Sequence, residues 1–364
     1  MTASPVFPPD PPEDRLPAEY RLPAGSERGP EAPTPPQVVF IEVTNQCNLR
    51  CQTCPRTYLT LEPPRSLSFE QFTRIARAFP VMRRAVLHGI GEPLLNRDLP
   101  RMIAYLKARG VTVLFNSNGT LLSSERSEAL VRSGLDEFRC SIDGASPETY
   151  ARIRGAPLLP KVVAGLAALA SARERLESIT PHISIWCVAT VENLAELPDL
   201  VRLAGRIGVP EVYVQRMVYF ADDPGRQFGM ARAGMSVFGE LQERPEAVLA
   251  ECEALSAQFG VAFHASGAGS ARASFAAGRP AEAAPWQACV RPWTSAYVTA
   301  HGTCLPCCIS PFASQDYAAL ILGNLFRRPF GEIWDGAPYR QFRSRLLTAD
   351  PQPACAGCGV HWSL

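Results

Sequence analysis

A chain of 364 residues with 46% hydrophobic composition is long enough to bury one large core and a smaller second one. Its formal net charge of +1 excludes the broad basic surface that nucleic-acid binding requires, and Lys107 and Lys161 are its only lysines. No run approaches the roughly 18 continuous apolar residues of a membrane span, and no basic-then-apolar signal opens the chain, so the expectation is a soluble, cytoplasmic protein without membrane or nucleic-acid partners.

In chain order, residues 1–37 hold eleven of the 34 prolines with almost no apolar periodicity, and they are expected to form a Pro-rich tail, disordered or loosely docked. From Val38 short apolar strands alternate with amphipathic helices, the pattern of βα units around a parallel sheet. The strands are predicted at Val39 to Thr44, Arg84 to His88, Val111 to Phe115, Glu137 to Ile142, His182 to Ala189 and Val212 to Met217. Ser68 with Gln71 predicts a capping box before Phe69, and Gly110 predicts the end of a helix over Leu99 to Arg109. Strand alternation turns Glu42, Thr44, Ser141, Asp143, Tyr213, Gln215 and Met217 inward, and turns Cys140 and Cys187 toward the helices. Residues 221–285 predict a helical bridge, with a helix over Val237 to Phe259 that carries Cys252, a short strand, and a Gly/Ala/Ser-rich stretch around Ser266 to Ala284.

The chemistry concentrates in Cys47-Asn48-Leu49-Arg50-Cys51-Gln52-Thr53-Cys54, straight after the first strand. Zinc sites usually close with four ligands, whereas three cysteines leave one iron of a 4Fe-4S cluster open to a further ligand. A structural metal knuckle or buried thiols are the bland alternatives. With Gly89-Ile90-Gly91-Glu92-Pro93 after the second strand, this CxxxCxxC spacing resembles the radical S-adenosylmethionine (AdoMet, SAM) superfamily. Thr53 and Ile90 depart from the family's usual aromatic and glycine.

The resemblance implies a partial (β/α)6 barrel over residues 38–220, with AdoMet chelating the open iron. It implies that Gly91 and Glu92 hold the methionyl amine, and that Asn118 lies on the ribose side. Ser141 and Asp143 are implied to reach the ribose or carboxylate, with Arg154 as carboxylate partner. For each, a capping or loop role is the plain alternative. In parallel barrels sites gather where strands end, and these residues all fall there.

At the C-terminal end, Cys289, Gly302 and Cys307 resemble the opening of the SPASM and twitch auxiliary-cluster domains, a helix is predicted over Phe330 to Leu347, and Cys355 and Cys358 supply a CxxC. The resemblance implies an auxiliary domain over 286–364 with a second 4Fe-4S cluster on Cys289, Cys307, Cys355 and Cys358. Cys308 is an equal alternative to Cys307, and zinc suits four cysteines as well. His88, His264, His301 and His361 are not at ligand spacing.

The function implied is an oxidoreductase that takes hydrogen from a small polar substrate and passes the second electron to the auxiliary cluster, with a flavodoxin or ferredoxin as reducing partner. Alternatives are an epimerase using a cysteine hydrogen donor, a peptide maturase with a separate leader-binding partner, and a nonenzymatic metal-binding interaction module. Cys304, Cys308, Tyr213 and Gln215 are the catalytic candidates.

Overall fold

A computed structural model describes residues 17–217, 235, 244–266, 271–276, 286, 289–312, 317–356 and 358. The expected helix start at Val237, most of the Gly/Ala/Ser-rich stretch and His361 lie outside them. Seven parallel strands follow one another in the sheet in chain order: β1 (Val38–Ile41), β2 (Arg84–Val86), β3 (Thr112–Ser117), β4 (Glu137–Ser141), β5 (His182–Ala189), β6 (Glu211–Arg216) and β7 (Ala262–Ala265). Parallel neighbours need crossovers. These carry α1 (Phe69–Arg77), α2 (Leu99–Lys107), α3 (Ser124–Arg132), α4 (Pro147–Arg154), α5 (Leu159–Arg175), α6 (Leu197–Arg206) and α7 (Arg244–Phe259). Because the spatial order never reverses, right-handed crossovers place the helices on one face, leaving the other as the inside of an open barrel.

The register separates the faces. Val39, Ala85, Val113, Phe138, Ile183 and Val212 belong to one set that is buried throughout, with Cys140 and Cys187 among them at 0% exposure. Phe40, Asn116, Arg139, Trp186 and Tyr213 belong to the other set. The first set packs under the helices. Burial pushes both thiols, Cys140 and Cys187, well up, as expected for packing rather than chemistry.

Two expectations are extended by the structure. The bridge supplies α7 and the parallel strand β7 beside β6, so it continues the βα pattern beyond residue 220. After α8 (Ala271–Ala276) and α9 (Arg291–Thr294), β8 (Ser295–Val298) runs parallel to β1 on its free side. The strands β9 (Thr303–Leu305) and β10 (Gly323–Asn324) then extend the sheet antiparallel. The helix predicted over Phe330 to Leu347 is two, α10 (Phe330–Trp334) and α11 (Ala337–Leu346), broken at Gly336 and the following proline-bearing turn. A last turn, α12 (Pro353–Ala356), carries Cys355.

Of the two forms expected for the Pro-rich tail, residues 17–37 take the docked one. Trp293 Nε1 donates to Gly29 O at 2.7 Å, Trp334 Nε1 to Thr34 O at 3.3 Å, and Arg28 to Cys289 O at 3.3 Å. Proline-rich backbone has few donors to form structure of its own, but its carbonyls accept from side chains elsewhere. No single helix among the described residues is long and apolar enough to cross a membrane.

Candidate active site and cluster loops

The loop after β1 is fixed from three sides. Gly91 presses on it so closely that a Cβ there would lie 2.1 Å from Thr44 O, and Glu92 N donates to Gln46 O at 2.8 Å. From the end of α4, Ile153 O accepts from Gln52 N at 2.8 Å, and Gly155, at φ +78°, meets the Arg50 backbone. A side chain could be accommodated at neither glycine. Within this frame Cys47 Sγ accepts from Leu49 N at 3.5 Å and from Asn118 Nδ2 at 3.8 Å, and the Arg154 guanidinium lies 3.8 Å from Cys51 Sγ. Donors aimed at sulfur suit thiolates that bind metal. Burial pushes the free Cys54 thiol up to about 11, so metal loading must displace its proton.

Four residues expected to face AdoMet, Glu92, Asn118, Asp143 and Arg154, also have partners within the protein. Glu92 is 2% exposed; Oε1 accepts from Ser117 Oγ at 2.7 Å and Leu94 N at 3.0 Å, and Oε2 from Asn118 N at 2.7 Å. It clamps the ends of β2 and β3 together. The Asn118 carboxamide is held by Asn48 Oδ1 at 2.9 Å and by Thr120 Oγ1 at 2.7 Å. Arg154 Nε lies 2.8 Å from Asp143 Oδ2, and Asp143 Oδ1 accepts from Val188 N at 2.8 Å. The expected ribose and carboxylate residues thus tie strand ends and cluster loop to one another. Gly91 lies against the loop, and the half-buried Ser141 is on the inner face.

The inner face below carries an aromatic floor. Tyr297 stacks on Phe40 at 6.3 Å and Phe40 meets His88 edge-on at 6.0 Å; farther along, Arg139 lies 4.4 Å over Trp186, which stacks on Tyr213 at 4.1 Å. Burial holds the His88 imidazole down at about 3, so it stays neutral, and its Nδ1 accepts from Asn116 N at 3.3 Å. Tyr213 is where strand alternation placed it, and half-buried Gln215 shares its face. Trp186, Arg139 and Tyr297 were missed, although alternation against Ile183, Ile185 and Cys187 was the available signal for Trp186.

In the C-terminal region Cys289, Cys307, Cys355 and Cys358 line one cavity with Trp286, Leu320, Phe342 and Leu346. Cys308 does not line it. Its charge would nevertheless act on Cys289, Cys358 and Arg291, so it lies beside the other cysteines and stays an alternative to Cys307 as ligand. Cys304 is 0% exposed in β9, and burial pushes its thiol up to about 12, which keeps it protonated. Among the described residues no three His, Cys, Asp or Glu side chains are placed to hold a single metal ion. A mononuclear zinc site would draw its thiolates to about 2.3 Å from one point.

Residues 41–204 match the Radical SAM superfamily, and residues 289–359 match the SPASM iron-sulfur cluster-binding domain. The chain carries a radical SAM domain followed by a SPASM domain. This radical SAM protein binds AdoMet and a 4Fe-4S cluster in its barrel and carries a further iron-sulfur cluster in its SPASM domain, for which both cysteine sets are suited. It is 29% identical over 188 residues to the tungsten-containing aldehyde ferredoxin oxidoreductase cofactor-modifying protein of Pyrococcus furiosus, covering 50% of this chain and 51% of that one. An AdoMet-dependent heme synthase of Methanosarcina barkeri is 24% identical, over 89% of this chain and 88% of its own. The solved structure of Streptococcus suis SuiB bound to precursor peptide SuiA aligns with a TM-score of 0.60 at 14% identity, covering 90% of this chain and 70% of that one, which shows the shared fold. The radical SAM chain spans about half the length of the first curated relatives it matches.

Proposed function

We propose that the protein is a radical SAM oxidoreductase that removes two hydrogens from a small polar substrate, such as a sugar or aminocyclitol alcohol. When bound, AdoMet and the barrel cluster would supply a hydrogen-abstracting 5′-deoxyadenosyl radical, and the auxiliary cluster would supply a one-electron acceptor for the substrate radical that remains, whose second hydrogen leaves as a proton to solvent. The observation that carries this reading is the convergence of Cys289, Cys307, Cys355 and Cys358 on one cavity. Four cysteines are a complete protein ligand set. A fully ligated centre offers substrate no iron, so electron transfer is the chemistry left to it. Gly91 and Ser141 would meet AdoMet above the inner face, where Arg139, Trp186 and Tyr213 form a floor for substrate. A flavodoxin or ferredoxin would deliver the initiating electron to the Cys47, Cys51 and Cys54 loop.

One observation favours a second reading, isomerisation with Cys308 returning a hydrogen atom. Cys308 is half-buried and is not among the residues lining the auxiliary cavity. Turnover in deuterium oxide separates the two. Oxidation predicts product two hydrogens lighter than substrate, free of solvent deuterium on carbon, in wild type and in Cys308→Ala alike. An isomer bearing one deuterium, lost in Cys308→Ala while AdoMet cleavage continues, would replace the first reading by the second.

A further inference from the structure

The three cysteines of the barrel loop are not in equivalent surroundings. Cys47 accepts from a backbone amide and a carboxamide, whereas Cys51 faces a guanidinium. That guanidinium is not a mobile surface group: the Arg154 side chain is 12% exposed, and the end of α4 is seated on the loop through Gln52 N to Ile153 O. Its position is also fixed from behind by Asp143, 6% exposed in its side chain, at 2.8 Å from Nε. Asn118 is held by Asn48 and Thr120, which fixes its Nδ2 toward Cys47.

A cluster that gains an electron gains negative charge on its sulfurs. A cation or N–H donor beside a sulfur therefore stabilises the reduced form and raises the potential, and a buried anion close by lowers it. In a site removed from water these effects are strong. We propose that Arg154 and Asn118 set the reduction potential of the cluster on Cys47, Cys51 and Cys54, with Asp143 as the counter-charge that holds it down. They are positioning residues acting through the thiolates. The inference rests on the radical SAM reading of this loop and is independent of the substrate.

The test is an EPR-monitored redox titration of the anaerobically reconstituted full chain without AdoMet. Arg154→Gln and Asn118→Ala should shift the barrel-cluster midpoint to more negative potential, Arg154→Lys should stay near wild type, and Asp143→Asn should shift it to more positive potential. A merely structural role cannot give opposite signs for Arg154→Gln and Asp143→Asn. Shifts of the same sign in those two variants, or an unchanged midpoint in Arg154→Gln, would overturn the proposal. If Asp143→Asn does not load its cluster, the proposal still stands or falls on whether Arg154→Gln lies below Arg154→Lys. Loss of the cluster in both Arg154 variants would reject it in favour of a purely architectural role. Absence of any cluster signal from wild type would instead remove the radical SAM reading of the loop.

Discussion

Glu42 shows how one residue joins the loop at Gly89 to Pro93 to the auxiliary domain. It is 2% exposed; Oε2 accepts from Ile90 N at 3.1 Å and Tyr297 Oη at 3.0 Å, and Oε1 from Ala300 N at 3.3 Å. Burial outweighs these hydrogen bonds, and Glu62 adds to it, raising the Glu42 carboxyl from 4.5 to about 7. The folded state therefore holds this proton where the unfolded chain has released it. The resulting stability is full below pH 4.5 and is lost as pH rises toward 7. Glu42→Gln cannot ionise, so wild type should lose on the order of 3 kcal/mol relative to it across that window. His88 works in the opposite sense, its contribution falling away below pH 6.5 toward about 3, but it is common to both proteins and cancels. Anaerobic urea unfolding at several pH values measures the difference, and a difference independent of pH would contradict the assignment.

Local signals were most legible at the level of single elements. Ser68 Oγ accepts from Gln71 N at 3.2 Å, while the Gln71 side chain accepts from Ser68 N at 3.1 Å, so the box predicted from two letters is present at the start of α1. Ser68→Ala should cost about 1 kcal/mol in urea unfolding without changing iron content, because both hydrogen bonds of the box run between Ser68 and Gln71. Strand alternation likewise sorted Cys140 and Cys187 to the packed face, since a period of two needs no partner to be read. What the sequence could not show depends on register or on distant partners. Trp186 meets Tyr213 because β5 and β6 pair in one particular register, and Arg154 meets Cys51 because α4 ends against a loop about a hundred positions earlier. The spacing of Cys47, Cys51 and Cys54 announced a cluster, but not which polar neighbours would be spent on bracing it. What docks residues 17–37 was hidden for the same reason: the donors that hold them, Trp293 and Trp334, are remote in sequence.

Across the whole molecule, the auxiliary domain is built into the barrel's own sheet. β8 pairs with β1 along its full length, from Val38 opposite Ser295 to Ile41 opposite Val298, and all four residues of β1 are buried. Phe79 packs on Phe330 at 4.2 Å, Arg74 donates to Phe326 O at 3.1 Å, and Tyr297 holds Glu42. Removing residues 286–364 would therefore strip one edge of the first barrel strand, the strand that leads into Cys47, and expose an apolar edge that invites aggregation. Replacing only Cys289, Cys307, Cys355 and Cys358 by alanine leaves that pairing intact. The two changes should consequently differ after anaerobic reconstitution. Wild type, with two clusters, should hold about eight irons, and the four-cysteine variant about four with AdoMet cleavage retained. Truncation after residue 285 should leave insoluble protein or protein with almost no iron. Iron analysis and 5′-deoxyadenosine formation measured on all three proteins decide it: a soluble truncated chain with about four irons and intact AdoMet cleavage would show that the barrel does not need β8 to fold.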